Sequence, residues 1–313
     1  MNGPVPLPAF ERIDPRPRAA ARRWIGGSTA PAILQVSPYT TPLQAYESIL
    51  GLAELETPEQ ASFFRRRKAF EPVAAEIFTE KTGIKLAQFN RRLRDPEHAF
   101  IRAELDGETA EQHARNLEIK TVHPLAARDW GRDGTGEDVP TYVVAQAMHG
   151  LMVSHREVAF VLAMIGFDDA RIYQIDRDEE TIAAMREREV AFWREHVEVT
   201  IPPAAINAGD VLRLHPRDDG TSIEATPDLV ELIERGRVLR GEMKDCQTEL
   251  DGIGDAIRLA LGEHAVLSIG GKPAITWKAQ NRSAFDQAEF KREYPDLFEA
   301  FKRSSSTRVM LWK

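Results

Sequence analysis

The stretch Ile101–Val122, IRAELDGETAEQHARNLEIKTV, constrains this chain more than any other. Its first part sets Ile101, Ala103 and Leu105 against Arg102 and Glu104, the period-two alternation of a half-buried strand. Asp106-Gly107 and a polar stretch follow, then a second short strand, Leu117–Val122. A hairpin of the two brings Asp106 close to Glu118. Lys120 shares a face with Glu118, because side chains two apart on a strand point the same way. Two carboxylates and an amine at one place suit metal-assisted hydrolysis of a phosphodiester. Carboxylate oxygens hold Mg²⁺, which keeps waters and binds substrate phosphate. The metal lowers the pKa of a bound water and stabilises charge on phosphorus. The lysine orients or deprotonates that water, or stabilises the pentacovalent phosphorus. An acid-x-Lys triplet is also what an ordinary solvated strand face offers. The context, Asp-Gly after one strand and Glu-Ile-Lys in the next, sets this one apart.

At 313 residues there is room for one large domain or two smaller ones. A chain that is 42% hydrophobic and 29% charged has the composition of a soluble globular protein. No apolar run approaches the roughly 20 residues of a membrane span, and MNGPVPLPAFERIDPRPRAAARR has no apolar core of signal-peptide type. Cys246, the single cysteine, excludes an intramolecular disulfide and a Cys-based zinc site. The expectation is a cytoplasmic protein. A net charge of −8 opposes a protein that coats nucleic acid but leaves room for an enzyme with a local basic groove.

Residues 1–20 read as an extended arm, made basic by Arg16 and Arg18 with Arg22 and Arg23 beyond. Gly26-Gly27 is a turn, and Ser28 caps a helix through Leu34; a helix start after glycines is also a phosphate site. Pro42–Leu50 is a short helix with Tyr46 and Leu50 on its buried side. Over Ser62–Thr82, Ala69, Val73 and Ile77, flanked by Phe70 and Ala74, form a helical stripe that ends at Gly83 and restarts at Pro72. A strand at Ile84–Asn90 precedes the hairpin, and His98 reads as structural. Residues 123–138 form a polar loop. Val139–Val153 is a helix opened by Pro140, packing through Val143, Ala147, Gly150 and Leu151, with Gln146 on the same side. Strands Glu157–Ile165 and Arg171–Asp176 precede the helix Thr181–Val197, whose Phe192 and Trp193 read as core. Pro202-Pro203 breaks the chain, placing a boundary near 205–225 and domains at 1–205 and 206–313. The second part holds a long helix or helix pair over Asp228–Leu261 with coiled-coil character, a hairpin Ala265–Lys278 around Gly270-Gly271, a helix Phe285–Phe301 and a strand Arg308–Trp312. Its basic residues Lys278, Arg282, Lys302, Arg303 and Arg308 read as a solvated face.

LDG (Leu105–Gly107) followed by LEIKT (Leu117–Thr121) resembles the PD-(D/E)XK nuclease signature, in the form carried by the YqaJ-type viral recombinases, the lambda-exonuclease-like phage enzymes. Arg22–Gly51, Phe70–Gly83, Val139–Val153 and Asp178–Val197 resemble the same family in the same order, over roughly residues 20–205. The resemblance implies an α/β fold: a PD-(D/E)XK restriction-endonuclease-like core, its mixed sheet flanked by helices, here with a C-terminal coiled-coil-like helical and β-hairpin extension. It implies a Mg²⁺-dependent exonuclease, with Mn²⁺ as a substitute. That enzyme digests linear double-stranded DNA 5′ to 3′ and leaves 3′ single strands for phage-type recombination. The implied partners are double-stranded DNA ends, a single-strand annealing protein and further copies in a homotrimer. The implied setting is the cytoplasm of a bacterial host, with a phage or prophage origin. By the same resemblance Asp106, Glu118, the Ile119 carbonyl and Glu71 form the metal site. Lys120 positions or activates the water, and Gln146 orients water or phosphate. Ser28 with Arg22 or Arg23 receives the 5′-phosphate. Glu104 stands where the lambda-exonuclease-like enzymes carry a phosphate-binding serine, and an anion there repels phosphate. An endonuclease or repair nuclease of the same fold, and an inactive DNA-binding or scaffold relative, are the alternative readings.

Overall fold

The computed structural model describes residues 21–132, 134–135, 138–303 and 307–313. The expected N-terminal arm lies outside them. The chain forms α1 (Ala30–Ile33), α2 (Pro42–Leu50), α3 (Pro58–Thr82), β1 (Leu86–Arg94), β2 (Arg102–Thr109), β3 (Asn116–Val122), β4 (Gly134–Thr135), α4 (Thr141–Ser154), β5 (Val158–Ile165), β6 (Asp169–Asp176), α5 (Glu179–Phe192), α6 (Ala208–Leu214), α7 (Pro227–Leu261), β7 (Val266–Ile269), β8 (Lys272–Thr276), α8 (Gln287–Glu293) and α9 (Pro295–Phe301). A 3-10 turn, Pro124–Asp129, lies within the loop read at 123–138, and a π-helical turn, Trp193–Val197, prolongs α5. No helix among the described residues is long and apolar enough to cross a membrane.

The sheet has the order β1-β2-β3-β5-β6-β4. It is mixed: β3 runs parallel to β5 and β4 to β6, and the other pairs are antiparallel. β5, VAFVLAMI, is apolar on both faces because both are covered, as a central strand requires. Ala159, Val161, Ala163 and Ile165 join the cluster with Val143, Ala147 and Leu151 of α4 and Ile182 and Met185 of α5. Phe160, Leu162 and Met164 join the opposite cluster with Ala74, Ala75 and Phe78 of α3. The result is an α/β core, a sheet between helices.

α2 follows its sequence bounds because both ends are coded. Thr41 Oγ1 accepts from the Gln44 N–H at 3.2 Å, the Gln44 side chain returns the bond at 2.9 Å, and Gly51 closes the helix at φ 69°. Thr57 and Gln60 repeat this box at the start of α3. α3 therefore begins before Ser62, and it does not restart at Pro72 but runs through it. The lost backbone hydrogen bond is tolerated because Ala74, Ala75 and Phe78 anchor the following turns to the sheet. Those residues, not Ala69 and Val73, form its buried face.

The chain divides into two units, one ending at Leu214 and one starting at His215. α6 belongs with the first, beyond the expected end at 205. Its Asp210 is buried and accepts from Thr41 Oγ1 at 2.8 Å, and Arg213 pairs with Glu47 at 2.8 Å. The second unit holds α7 as one 35-residue helix and a hairpin that turns on Gly270 and Gly271 at φ 58° and 78°. It then has two short helices where one is expected, because Pro295 starts a new one, and no strand among the described residues at Arg308–Trp312.

Candidate active site

β2 and β3 are hydrogen-bonded only at Gly107↔Leu117 and Glu108↔Asn116. β1 follows β2 along its length and β5 follows β3, so the sheet opens between β2 and β3 where Asp106 faces Glu118. Backbone groups released by such an opening need other partners. The Ile119 N–H donates to Asp106 Oδ2 at 2.8 Å. The Arg102 N–H donates to Ile25 O at 2.9 Å, and the Ile25 N–H donates to Phe100 O at 2.7 Å. The Arg102 carbonyl accepts from His149 Nε2 at 2.8 Å. Asp106 thus lies inside β2 and not after its end. β2 continues to Thr109, stabilised by Glu108, which is buried and pairs with both Arg91 and Arg156.

Glu118 and Lys120 face α4, while Leu117 and Ile119 pack with α3. Lys120 Nζ donates to Glu118 Oε1 at 2.5 Å and to Gln146 Oε1 at 2.7 Å. Gln146 Nε2 donates to Glu118 Oε1 at 2.7 Å. The three side chains close a triangle that fixes the Gln146 amide and the Lys120 ammonium. From the other side, Glu71 of α3 pairs with Lys68 at 2.8 Å. Burial pushes the Asp106 carboxyl up to about 7, with the Glu118 charge adding to it and the Ile119 N–H, Lys120 and Lys68 opposing it. Burial also raises Glu71; its bond to Lys68 works against this, and the Asp106 and Glu104 charges reinforce it. All five residues expected to carry the chemistry therefore surround one opening.

Arg22 donates to Ser28 Oγ at 3.1 Å, so the two are neighbours. Arg23 instead holds a left-handed turn at φ 57°, its N–H bonded to Ile49 O at 3.0 Å. Ser28 does not cap a helix. Thr29 occupies the N-cap of α1, which has only 4 residues, so the site here is a side-chain pair and not a helix terminus. Gly27 is needed for close approach: a Cβ there would lie 3.2 Å from Gln146 Cγ. Glu104 is exposed and sits 3.5 Å from Arg92 Nε, which offsets its charge.

His149 is functional architecture that sequence reasoning missed. It is fully buried on α4, with Nδ1 2.8 Å from Glu189 Oε1 and Nε2 2.8 Å from Arg102 O. Both ring nitrogens face oxygens that can accept, an arrangement that favours the doubly protonated ring. Burial alone lowers its pKa, but the Glu189 charge and hydrogen bond, with the Arg102 carbonyl, hold it above the ordinary value. α5 thereby ties α4 to the opened strand. A second tie is Arg186, which pairs with buried Asp95 at 2.7 Å. The only sequence signal is a histidine on the apolar face of a helix.

The acids fit a hard cation. Asp106 and Glu118 each commit one oxygen to protein hydrogen bonds, leaving Asp106 Oδ1 and Glu118 Oε2 without one among the described residues. Glu71 likewise commits only Oε2. Among the described residues no three His, Cys, Asp or Glu side chains converge on one point. A cation here would rest on the Asp106–Glu118 pair with the Ile119 carbonyl and waters.

An opened hairpin bearing Asp106, Glu118 and Lys120 beneath Gln146 defines an acid-x-Lys site on an α/β core. Residues 18–157 match the model of the YqaJ-like viral recombinase domain. The uncharacterized protein YqaJ of Bacillus subtilis (strain 168) is 25% identical over 295 residues, covering 92% of this chain and 90% of its own. Among solved structures, the alkaline exonuclease LHK-Exo from Laribacter hongkongensis shares 15% identity over 57% of this chain and 90% of its own, with a TM-score of 0.44. A phage-related exonuclease from Haemophilus somnus 129PT shares 14% over 56% of this chain and 94% of its own, with a TM-score of 0.41.

Proposed function

We propose that this protein is a divalent-metal-dependent, Mg²⁺-using exonuclease that digests linear double-stranded DNA from its 5′ ends. It leaves 3′ single strands for recombination with a single-strand annealing protein, and works as a homotrimer in a bacterial cytoplasm. The observation that carries this reading is the Glu118–Lys120–Gln146 triangle set against Asp106 in the opened sheet.

A bound divalent ion supplies charge neutralisation at phosphate and a more acidic water. The chain supplies the rest. Asp106 and Glu118 would hold the ion through their uncommitted oxygens, together with the Ile119 carbonyl, and Glu71 would complete the shell through water. Lys120 donates to two acceptors and keeps a third proton. It therefore acts as an ammonium that holds the attacking water and the developing charge on the phosphate. Gln146, locked by Lys120 and Glu118, orients that water. The water oxygen bonds to phosphorus, the bond from phosphorus to the 3′ oxygen breaks, and the leaving oxygen takes a proton. Arg22 and Ser28 receive the 5′-phosphate, and Arg92 beside Glu104 limits repulsion there.

The test is a linear duplex labelled at either end of either strand, with 5′-phosphate or 5′-hydroxyl, alongside closed circular DNA and Mg²⁺. Loss of the 5′ label first, with circles intact, supports the reading. Cutting of circles moves the assignment to an endonuclease. No cleavage with Mg²⁺ or Mn²⁺ leaves a binding or scaffold role.

A further inference from the structure

The chain is acidic, with a net charge of −8, yet cations gather beside the opening, several of them without a carboxylate partner among the described residues. Arg65, Arg66, Arg67 and Lys68 are consecutive and exposed on α3, within the two turns before Glu71. Among the described residues, Arg65, Arg66 and Arg67 have no acidic partner. Arg66 donates to Ser62 Oγ at 2.9 Å. Arg67 donates to the Thr121 carbonyl at 3.0 Å, one residue after Lys120, and lies 4.4 Å from the centre of the Phe63 ring. Lys68 reaches across to Asn90 of β1 as well as to Glu71. Beyond Asn90 on that edge strand come Arg92 and Arg94, both exposed, and Arg94 also has no carboxylate partner among the described residues.

Two of these facts point to a ligand. An acidic protein has little reason to gather four consecutive exposed cations on one helix, where Arg65 and Lys68, three apart, are surface neighbours that repel one another. Arg67 is also held in place by a strand carbonyl and an aromatic ring, which removes part of the entropy cost of binding. Guanidinium groups spaced along a helix and an edge strand suit a linear polyanion, because each contacts phosphate oxygens through a rigid fork of donors.

We infer that Arg65, Arg66 and Arg67 of α3, with Arg92 and Arg94 of β1, bind the sugar–phosphate backbone of the nucleic acid outside the scissile phosphate. This rests on the nuclease reading above, and it places the DNA backbone contacts in the first unit. The charge of the track also accounts for how a chain of net charge −8 engages a polyanion at all.

The experiment measures binding of a fluorescent linear duplex to the full-length protein in chelator, over a salt series, so that cleavage does not enter. The Arg65→Glu/Arg66→Glu protein is compared with Arg188→Glu/Arg194→Glu, an equal charge change at exposed positions on α5 and the turn after it. All four side chains are exposed, so folding is not at stake. The expected result is a loss of about tenfold to a hundredfold in affinity for the α3 variant. Its log-affinity against log-salt slope should be shallower by about two, one for each lost phosphate contact. The control should stay within about threefold. Equal losses in both variants, or none in the α3 variant, would overturn the inference. If the α3 variant binds like wild type while wild type still cleaves, the track fails and the nuclease reading stands. If wild type neither binds nor cleaves duplex, both fail.

Discussion

The two units of this chain are built on opposite principles. Residues up to Leu214 carry all three apolar clusters, and buried or part-buried polar bonds such as His149 with Glu189 and Arg186 with Asp95 join elements distant in sequence. From His215 onward, Leu261 is the one buried hydrophobic residue among those described. α7 exposes Leu229, Leu232, Leu239, Met243, Leu250 and Ile253, and its ion pairs join neighbours on the same helix, such as Arg237 with Glu234 and Arg258 with Asp255. A unit with its own core can position side chains to a fraction of an ångström, because close packing and satisfied polar groups leave few alternatives. A long helix with an exposed apolar seam holds its local shape but positions nothing by itself. Every residue assigned to the chemistry accordingly lies in the first unit.

Four expected outcomes sharpen or break that contrast, in falling order of effect. Asp106→Asn should lower single-turnover cleavage roughly 10³-fold, since it removes a charge aimed at the reacting centre. An exposed substitution such as Arg240→Ala should leave the rate within about twofold. A comparable loss from Arg240→Ala would place part of the site in the second unit.

Leu162→Ala, in the middle of β5, should cost about 3–4 kcal/mol in urea unfolding. Leu232→Ala, 65% exposed, should stay within about 0.5 kcal/mol. A large cost at Leu232 would mean that the α7 seam is covered in solution.

Glu189→Gln should destabilise the protein by about 2–3 kcal/mol in acid and less as pH rises. The sign follows from the direction of the shift: the folded His149 is held above its ordinary value, so its contribution is complete below about pH 6.5 and is lost as pH rises through the folded value. Urea midpoints of wild type and variant across that range provide the check, and a gap that widens with pH would show the ring to be neutral when buried.

Gly27→Ala should slow cleavage roughly threefold to tenfold with less than about 1 kcal/mol of destabilisation, because its methyl group presses on Gln146 Cγ. An unchanged rate would show that Gln146 tolerates displacement.

Much of the first unit was legible because period and punctuation agreed. The alternation in Ile101–Leu105, the apolar run of β5 and the Thr-Pro-Leu-Gln start and Gly51 stop of α2 each encode a local choice that packing then keeps. Where the reading missed, tertiary contacts outweighed local signals. Asp106-Gly107 reads as the end of a strand, but Arg91 and Arg156 neutralise Glu108 and carry the strand past it. Pro72 reads as a helix start, but the capping box at Thr57 and the anchors at Ala74 and Phe78 hold one helix through it. Ser28 reads as a cap, but Thr29 takes that place and leaves Ser28 to Arg22. The charge on His149 depends on Glu189, forty residues away, and no spacing rule reports it. In the second unit the hairpin and long helix were readable from local chemistry alone.

The central claim is that the opening between β2 and β3 is a hydrolytic site with Lys120 at its centre. Single-turnover cleavage of an end-labelled linear duplex in Mg²⁺, by wild type and by Lys120→Ala at equal bound fraction, tests it most directly. The account predicts a variant slower by roughly 10³-fold with duplex affinity in chelator within about threefold of wild type. Cleavage by Lys120→Ala at the wild-type rate would contradict it.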